Sequence, residues 1–203
     1  MRVLIASSNK GKLRDFAAVA SLHGVEVELI PNFASLPIAV EDGETFEENA
    51  RKKAEHYSRY VPGELVLADD SGLAVDALSG APGVRSARYA AAGHEDDGNS
   101  DDDANNAKVL REMKDVADGE RTARFVCVIA VARDGKTVAT FDGKAEGVLL
   151  RELRGAGGFG YDPMFYFREL GKTFAELSPT EKAAVSHRGQ AFGKFMQWCD
   201  RQS

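Results

Sequence analysis

The chain opens on a short apolar run, Val3-Leu4-Ile5-Ala6, followed by the polar stretch Ser7-Ser8-Asn9-Lys10-Gly11-Lys12 and then by Leu13, Phe16, Ala17 and Ala20 at helical spacing. That pattern predicts strand, polar loop, helix. Val25 to Ile30 reads as a second strand. Thr45-Phe46-Glu47-Glu48 sets a hydroxyl three residues ahead of a glutamate, a capping box that predicts a helix from Thr45 to Tyr60 buried on Phe46, Ala50, Ala54 and Tyr57. Val66-Leu67-Ala68 predicts a strand that ends in the acids and turn residues Asp69-Asp70-Ser71-Gly72. From Ala90 to Asn106 the chain is small, acidic and punctuated by Gly and Asn, which predicts a solvated surface loop. An amphipathic helix on Val109, Leu110 and Met113 is expected over Asn105 to Val116. Ala123 to Arg133 is apolar on both faces and ends at Asp134-Gly135, a hairpin signal leading into a strand from Val138 to Phe141. Strands alternating with helices, plus one hairpin, predict an α/β fold with a mixed central sheet and flanking helices.

Length and composition narrow this picture. With 203 residues, 43% apolar and 29% charged, the chain has the size and composition of one globular domain, and no repeat, low-complexity tract or linker divides it. A single domain over residues 1–203 is therefore expected. The net charge of -6 is accounted for by six acids in one segment, Glu95, Asp96, Asp97, Asp101, Asp102 and Asp103; the remainder is neutral. A nucleic-acid polymer is not an expected partner, because no basic excess is present to displace counterions. No apolar run approaches the roughly 20 residues of a membrane helix, and a cytoplasmic protein without membrane attachment is expected. Cys127 and Cys199 sit in apolar patterns without metal-type spacing, as core residues of a reducing compartment do.

Five segments carry candidate chemistry. Ser7 to Lys12 links a strand to a helix N-terminus, where free N–H groups and the positive dipole end favour an anion. Lys12 in the first helical turn opposes that dipole, which either a bound anion or plain solvation accommodates. In the second segment Glu48 and Lys52 form an i,i+4 pair, while Lys53 flanks the buried stripe and can reach inward with Glu41 nearby. The third is Asp69-Asp70-Ser71-Gly72 at the carboxyl end of a strand, where α/β sheets place ligands. Adjacent strand residues point to opposite faces, so one acid is functional and the other supporting, unless the strand has already ended in an ordinary turn. The fourth, Gly155 to Pro163, has a glycine-rich backbone holding Phe159 and Tyr161, able to approach a ligand closely or to form a compact turn. The fifth begins with a second capping box, Ser178-Pro179-Thr180-Glu181, and continues through Lys182 to Ser186-His187-Arg188-Gly189. In one straight helix His187 and Arg188 would lie roughly 140° and 240° around from Lys182. Joint action on one ligand requires a break near Ser186, which would cap a second helix buried on Phe192, Phe195, Met196 and Cys199.

In order and wording, these segments resemble the inosine triphosphate pyrophosphatases, also called XTP/dITP diphosphatases. The resemblance rests on Ser7 to Lys12, Thr45-Phe46-Glu47-Glu48-Asn49-Ala50, Ala68-Asp69-Asp70-Ser71-Gly72-Leu73, Gly80-Ala81-Pro82-Gly83, Gly158-Phe159-Gly160-Tyr161-Asp162-Pro163 and Ser186-His187-Arg188-Gly189, and covers nearly the whole chain. It implies Mg²⁺-dependent hydrolysis of ITP, dITP or XTP to monophosphate and pyrophosphate, by an elongated two-lobed α/β homodimer with a cleft between the lobes. Ser7, Ser8, Asn9, Lys10, Gly11, Lys12 and Lys53 would hold phosphates. Glu41 and Asp70 would bind Mg²⁺, Asp70 acting also as proton acceptor or only as metal ligand, and Ser71 would touch the substrate. Phe159, Gly160, Tyr161, Asp162, Lys182, His187 and Arg188 would shape the base and sugar pocket. Ser8 stands where the family usually has Gly, which would strain the loop if that site needs a positive φ. Two other readings are a non-hydrolysing nucleotide sensor, against which Glu41 and Asp70 argue, and a related pyrophosphatase with another base preference.

Overall fold

The computed structural model describes residues 2–91 and 99–202. The elements are β1 (Arg2–Ile5), α1 (Lys10–Leu22), β2 (Glu26–Leu29), α2 (Phe46–Ser58), β3 (Val66–Val75), α3 (Asp102–Glu112), β4 (Thr122–Arg133), β5 (Lys136–Leu149), β6 (Phe165–Phe167), β7 (Lys172–Thr173), α4 (Pro179–Val185) and α5 (His187–Asp200). The strands form a seven-stranded sheet in the order β2-β1-β3-β4-β5-β6-β7. β1 runs parallel to β2 and β3, whereas β6 runs antiparallel to β5 and β7, so the sheet is mixed as expected. Asp134 and Gly135, at φ of 52° and 78°, make the two-residue hairpin between β4 and β5.

The chain divides into two compact units, one of residues up to Asp70, Cys127–Lys144 and Ala183 onward, the other of Ser71–Val126 and Ala145–Lys182. In the first, strand alternation builds two cores. Val3, Ile5, Leu67, Cys127, Ile129 and Val131 pack with Phe16, Val19 and Ala20 of α1 and Phe192, Phe195 and Cys199 of α5. Their neighbours Leu4, Val66, Ala68, Val128 and Ala130 pack with Ala50, Ala54 and Tyr57 of α2. Two helical layers on one sheet explain why these strands are apolar on both faces. In the second unit the buried rings of Phe125, Phe165, Phe167 and Phe174 pack together, with Phe165 edge-on to Phe174 at 4.8 Å.

Capping chemistry fixes the helix starts. Asn9 accepts from the Lys12 N–H, Thr45 and Glu48 close the predicted capping box, and Ser186 accepts from the Gly189 N–H. The break near Ser186 that joint action would require is present: α4 ends at Val185 and α5 starts at His187. Five expectations are corrected. β3 continues through Asp69-Asp70-Ser71-Gly72 to Val75 instead of ending in a turn. α3 begins at Asp102, because Asp101 caps it, so the expected loop is helical from Asp102 to Asn106; Glu95, Asp96 and Asp97 lie outside the described residues. β5 extends to Leu149, well past Phe141. Ala17 is exposed and Val19 buried, since Phe16, Val19 and Ala20 share the inner face of α1. Finally, Glu48 does not serve Lys52: its carboxylate takes the N–H groups of Glu44 and Thr45, and Lys52 pairs with Asp42 at 2.6 Å.

Candidate active site

The period of two in β3 determines where the paired acids go. Asp69 continues the parity of Leu67, towards α1 and α5, and Asp70 continues that of Val66 and Ala68, towards α2.

On the first face Asp69 is fully buried and surrounded by cations. Lys12 Nζ lies 3.1 Å from its Oδ2 and Arg188 Nε 3.7 Å; Arg188 also donates to Asp15 at 3.0 Å. Lys12 comes from the N-terminal turn of α1 and Arg188 from that of α5, so two helix starts converge on one carboxylate. Burial alone would push the Asp69 carboxyl up, but Lys12, Arg188 and Lys53 draw it down to about 2, and the acid is ionised at neutral pH. Cys127, on the same face with Sγ 4.0 Å from Asp69, has its thiol pushed up by burial and by that carboxylate, which keeps it unreactive. α5 can lie this close because Gly143 of β5 has no side chain: a Cβ there would strike the His187 carbonyl.

On the second face the charge balance is reversed. Lys53 Nζ donates to Glu41 at 2.7 Å and lies 3.5 Å from Asp70 Oδ1, so one ammonium serves two carboxylates. Asn49, one turn before Lys53, donates to Asp70 Oδ2 at 3.2 Å and accepts from the Gly43 N–H, which ties the Glu41–Gly43 segment to α2. Burial above all, joined by the charges of Asp69 and Glu41, pushes the Asp70 carboxyl up against the pull of Lys53 and Lys12. Burial opposes the Lys53 charge, but Asp70, Asp69 and Glu41 hold its pKa above the ordinary lysine value. Among the described residues no group of three or more His, Cys, Asp or Glu side chains could hold a metal alone. Mg²⁺ needs no such cage, because it keeps several waters and is held by one or two carboxylates together with phosphate oxygens, and Asp70 with Glu41 could supply such carboxylates.

In the second unit the glycine-rich loop is held as a fixed platform. Asp162 accepts from the Phe159 N–H at 2.9 Å and from Lys182 Nζ at 2.6 Å, and that ammonium lies 5.0 Å from the centre of the half-buried Phe159 ring. Tyr161 donates from its hydroxyl to the Ser86 carbonyl at 2.7 Å. Gly158, at φ of 71°, lies so close to Asp162 that any Cβ would strike the carboxylate.

Residues 3–198 match the model of the Ham1 family. The chain belongs to that family. A dITP/XTP pyrophosphatase of Desulforamulus reducens is 48% identical over 201 residues, covering 99% of this chain and 96% of the relative, and one of Geobacter sulfurreducens is 50% identical over 192 residues, covering 94% and 92%. The solved structure of a HAM1 protein from Coxiella burnetii superposes with a TM-score of 0.82 at 40% identity over 99% of each chain.

In this Ham1-family chain the sequence-predicted residues fall into separate sets. Lys12, Arg188 and Asp69 meet on one face of β3, and Lys53, Glu41 and Asp70 on the other. Ser7 accepts from the Asn9 N–H at 3.3 Å, while Ser8, Asn9 and Lys10 are exposed and Gly11 is buried. Ser8 is not strained, since among the described residues the non-glycine positions with left-handed φ are Asn32, Ser79 and Asp134. Ser71 follows Asp70 on β3, half-buried. Lys182 joins Asp162 and Phe159, and Arg188 joins Asp69 and Asp15; His187, buried, opens α5. Sequence reasoning gave no role to Asn49, Asp15, Asp102 or Asn106. Asn49 had a signal, a polar residue one turn from Lys53 beside the apolar Ala50 and Ala54.

Proposed function

We propose that this chain hydrolyses non-canonical purine nucleoside triphosphates, dITP, ITP and XTP, to the nucleoside monophosphate and pyrophosphate. Near-full-length relatives named dITP/XTP pyrophosphatases support the reading, and the observation that carries it is the division of labour across β3: Asp69 neutralised by Lys12 and Arg188, Asp70 left short of cation beside Glu41 and Lys53. On this reading Ser7 to Lys12 and Lys53 take the phosphate oxygens with N–H groups and ammonium charge. Mg²⁺ held by Asp70 and Glu41 would neutralise phosphate charge and polarise the α-phosphoryl group. Asp70 orients the water whose oxygen attacks the α-phosphorus while the bond to the bridging oxygen breaks and pyrophosphate leaves. Phe159 stacks on the base, and His187 and Arg188 supply donors for the 6-oxo group. Adenine would set its own amino donor against them in a desolvated site, a mismatch that rejects strongly.

The homodimer and the cytoplasmic location belong to the same proposal, the former measured by light scattering on the purified chain. Among the described residues no helix is long and apolar enough to cross a membrane. The test is pyrophosphate release from ITP, dITP, XTP, ATP, GTP and CTP, with Mg²⁺ and with EDTA. Release confined to the 6-oxo non-standard purines, stopped by EDTA and by Asp70→Asn, is expected. Tight ITP binding without release would overturn hydrolysis, and an unchanged ITP preference in Arg188→Ala would overturn the assignment of base selection.

A further inference from the structure

We propose that Asp102 and Asn106, successive-turn residues of α3, are positioning residues that set the Phe159 platform and thereby the base preference. The inference rests on the reading of that loop as the base-stacking element.

Three observations converge. Asp102 Oδ2 accepts from the Gly160 N–H at 2.7 Å, and Asn106 Nδ2 donates to the Gly160 carbonyl at 2.9 Å, so one helix face holds both polar groups of the same glycine. Gly160 follows Phe159 and carries a left-handed φ of 60°, a conformation that tolerates drift unless it is pinned. Of the neighbouring groups, the Phe159 N–H is taken by Asp162 and the Tyr161 hydroxyl by the Ser86 carbonyl, so the clamp on Gly160 completes the restraint on the ring.

The third observation is that Asn106 is a poor choice for stability alone. It is 2% exposed and occupies the i, i+3, i+4, i+7 stripe with Val109, Leu110 and Met113, where an aliphatic side chain would be expected. Its Oδ1 is buried without a hydrogen-bond partner among the described residues. An orphaned buried acceptor is destabilising, so the amide is retained for what its other end does: its Nδ2 holds Gly160. The neighbouring Asn105 is spent differently, with its Oδ1 on the Ala90 N–H and its Nδ2 on the Ala87 carbonyl, which secures the preceding segment. Asp102 takes its place in the same clamp because Asp101 caps α3 and Asp102 is its first residue, so this member of the acidic run is directed at a backbone N–H.

The experiment compares Asp102→Ala, Asp102→Asn and Asn106→Leu with the unaltered chain in three readouts: the ratio of kcat/KM for ITP to that for ATP, the inhibition constant of pyrophosphate, and Tm. Asn106→Leu is expected to leave Tm close to that of the unaltered chain, because removing the orphaned Oδ1 offsets the bond lost at the Gly160 carbonyl, yet to lower the ITP:ATP ratio by about tenfold, with pyrophosphate inhibition unchanged. Asp102→Ala should lower the ratio likewise, and Asp102→Asn, which keeps an acceptor for the Gly160 N–H, should restore most of it. An unchanged ratio in Asp102→Ala and Asn106→Leu, while the unaltered chain prefers ITP, overturns the inference and leaves the proposed function standing. Equal damage to pyrophosphate inhibition, or no rescue by Asp102→Asn, also overturns it. No ITP preference in the unaltered chain overturns the base-stacking reading and the inference with it.

Discussion

The two faces of β3 at Asp69 and Asp70 begin from the same residue type, one position apart, and end in opposite electrostatic states. On the α1–α5 face the carboxylate meets two cations and is held ionised at a pKa of about 2. On the α2 face a single ammonium is divided between Asp70 and Glu41, and the Asp70 carboxyl is pushed up. A buried acid already matched by the protein's own cations is an organiser, which fixes Lys12 and Arg188. On the proposed function, a buried acid without a full match is the one that a ligand completes. Side-chain alternation produces both from one dipeptide, and neither could be moved one residue without exchanging its helix.

The largest effect expected from breaking this contrast is on turnover. Asp70→Asn should lower kcat for ITP by at least about a thousandfold, measured by pyrophosphate release. Asp69→Asn strikes the organiser: it leaves Lys12 and Arg188 facing a neutral amide, and losing one member of a buried ion cluster should cost about 3–5 kcal/mol in urea unfolding. The pH dependence follows from the same group. A carboxyl whose folded pKa is depressed contributes stability that is fully present above its unfolded value near 4 and is lost as the pH falls through about 2. Acid unfolding monitored by circular dichroism should therefore steepen between those values, and the Asp69→Asn profile should be flatter there. The smallest effect is expected at Lys52, whose partner Asp42 is exposed. Lys52→Ala should leave both stability and turnover close to those of the unaltered chain.

What was legible in the sequence was what local chemistry decides. The capping boxes at Thr45 and Ser178 and the Asp134-Gly135 hairpin each depend on a few neighbouring residues, and each stands in the structure. The course of β3 was not legible, because Asp-Asp-Ser-Gly has the composition of a turn. Only cations from Lys12, Lys53 and Arg188, distant in sequence, make two acids tolerable inside a strand. The start of α3 was missed for a related reason: Asp101 and Asp102 look like loop charges until one caps the helix and the other meets the Gly160 N–H. Of the site, the inward reach of Lys53 towards Glu41 could be read from spacing. The sorting of Asp69 from Asp70 could not, since it depends on which helix lies on which face.

The most direct test is a pair of thermal melts in EDTA at pH 7. Asp70→Asn removes a carboxylate whose charge burial disfavours above all and which Asp69 and Glu41 repel, against the pull of Lys53 and Lys12, so its Tm should rise above that of the unaltered chain although activity is lost. Asp69→Asn should melt lower. A fall in Tm for both variants, or a rise for Asp69→Asn, would contradict the division of labour between the two faces of β3.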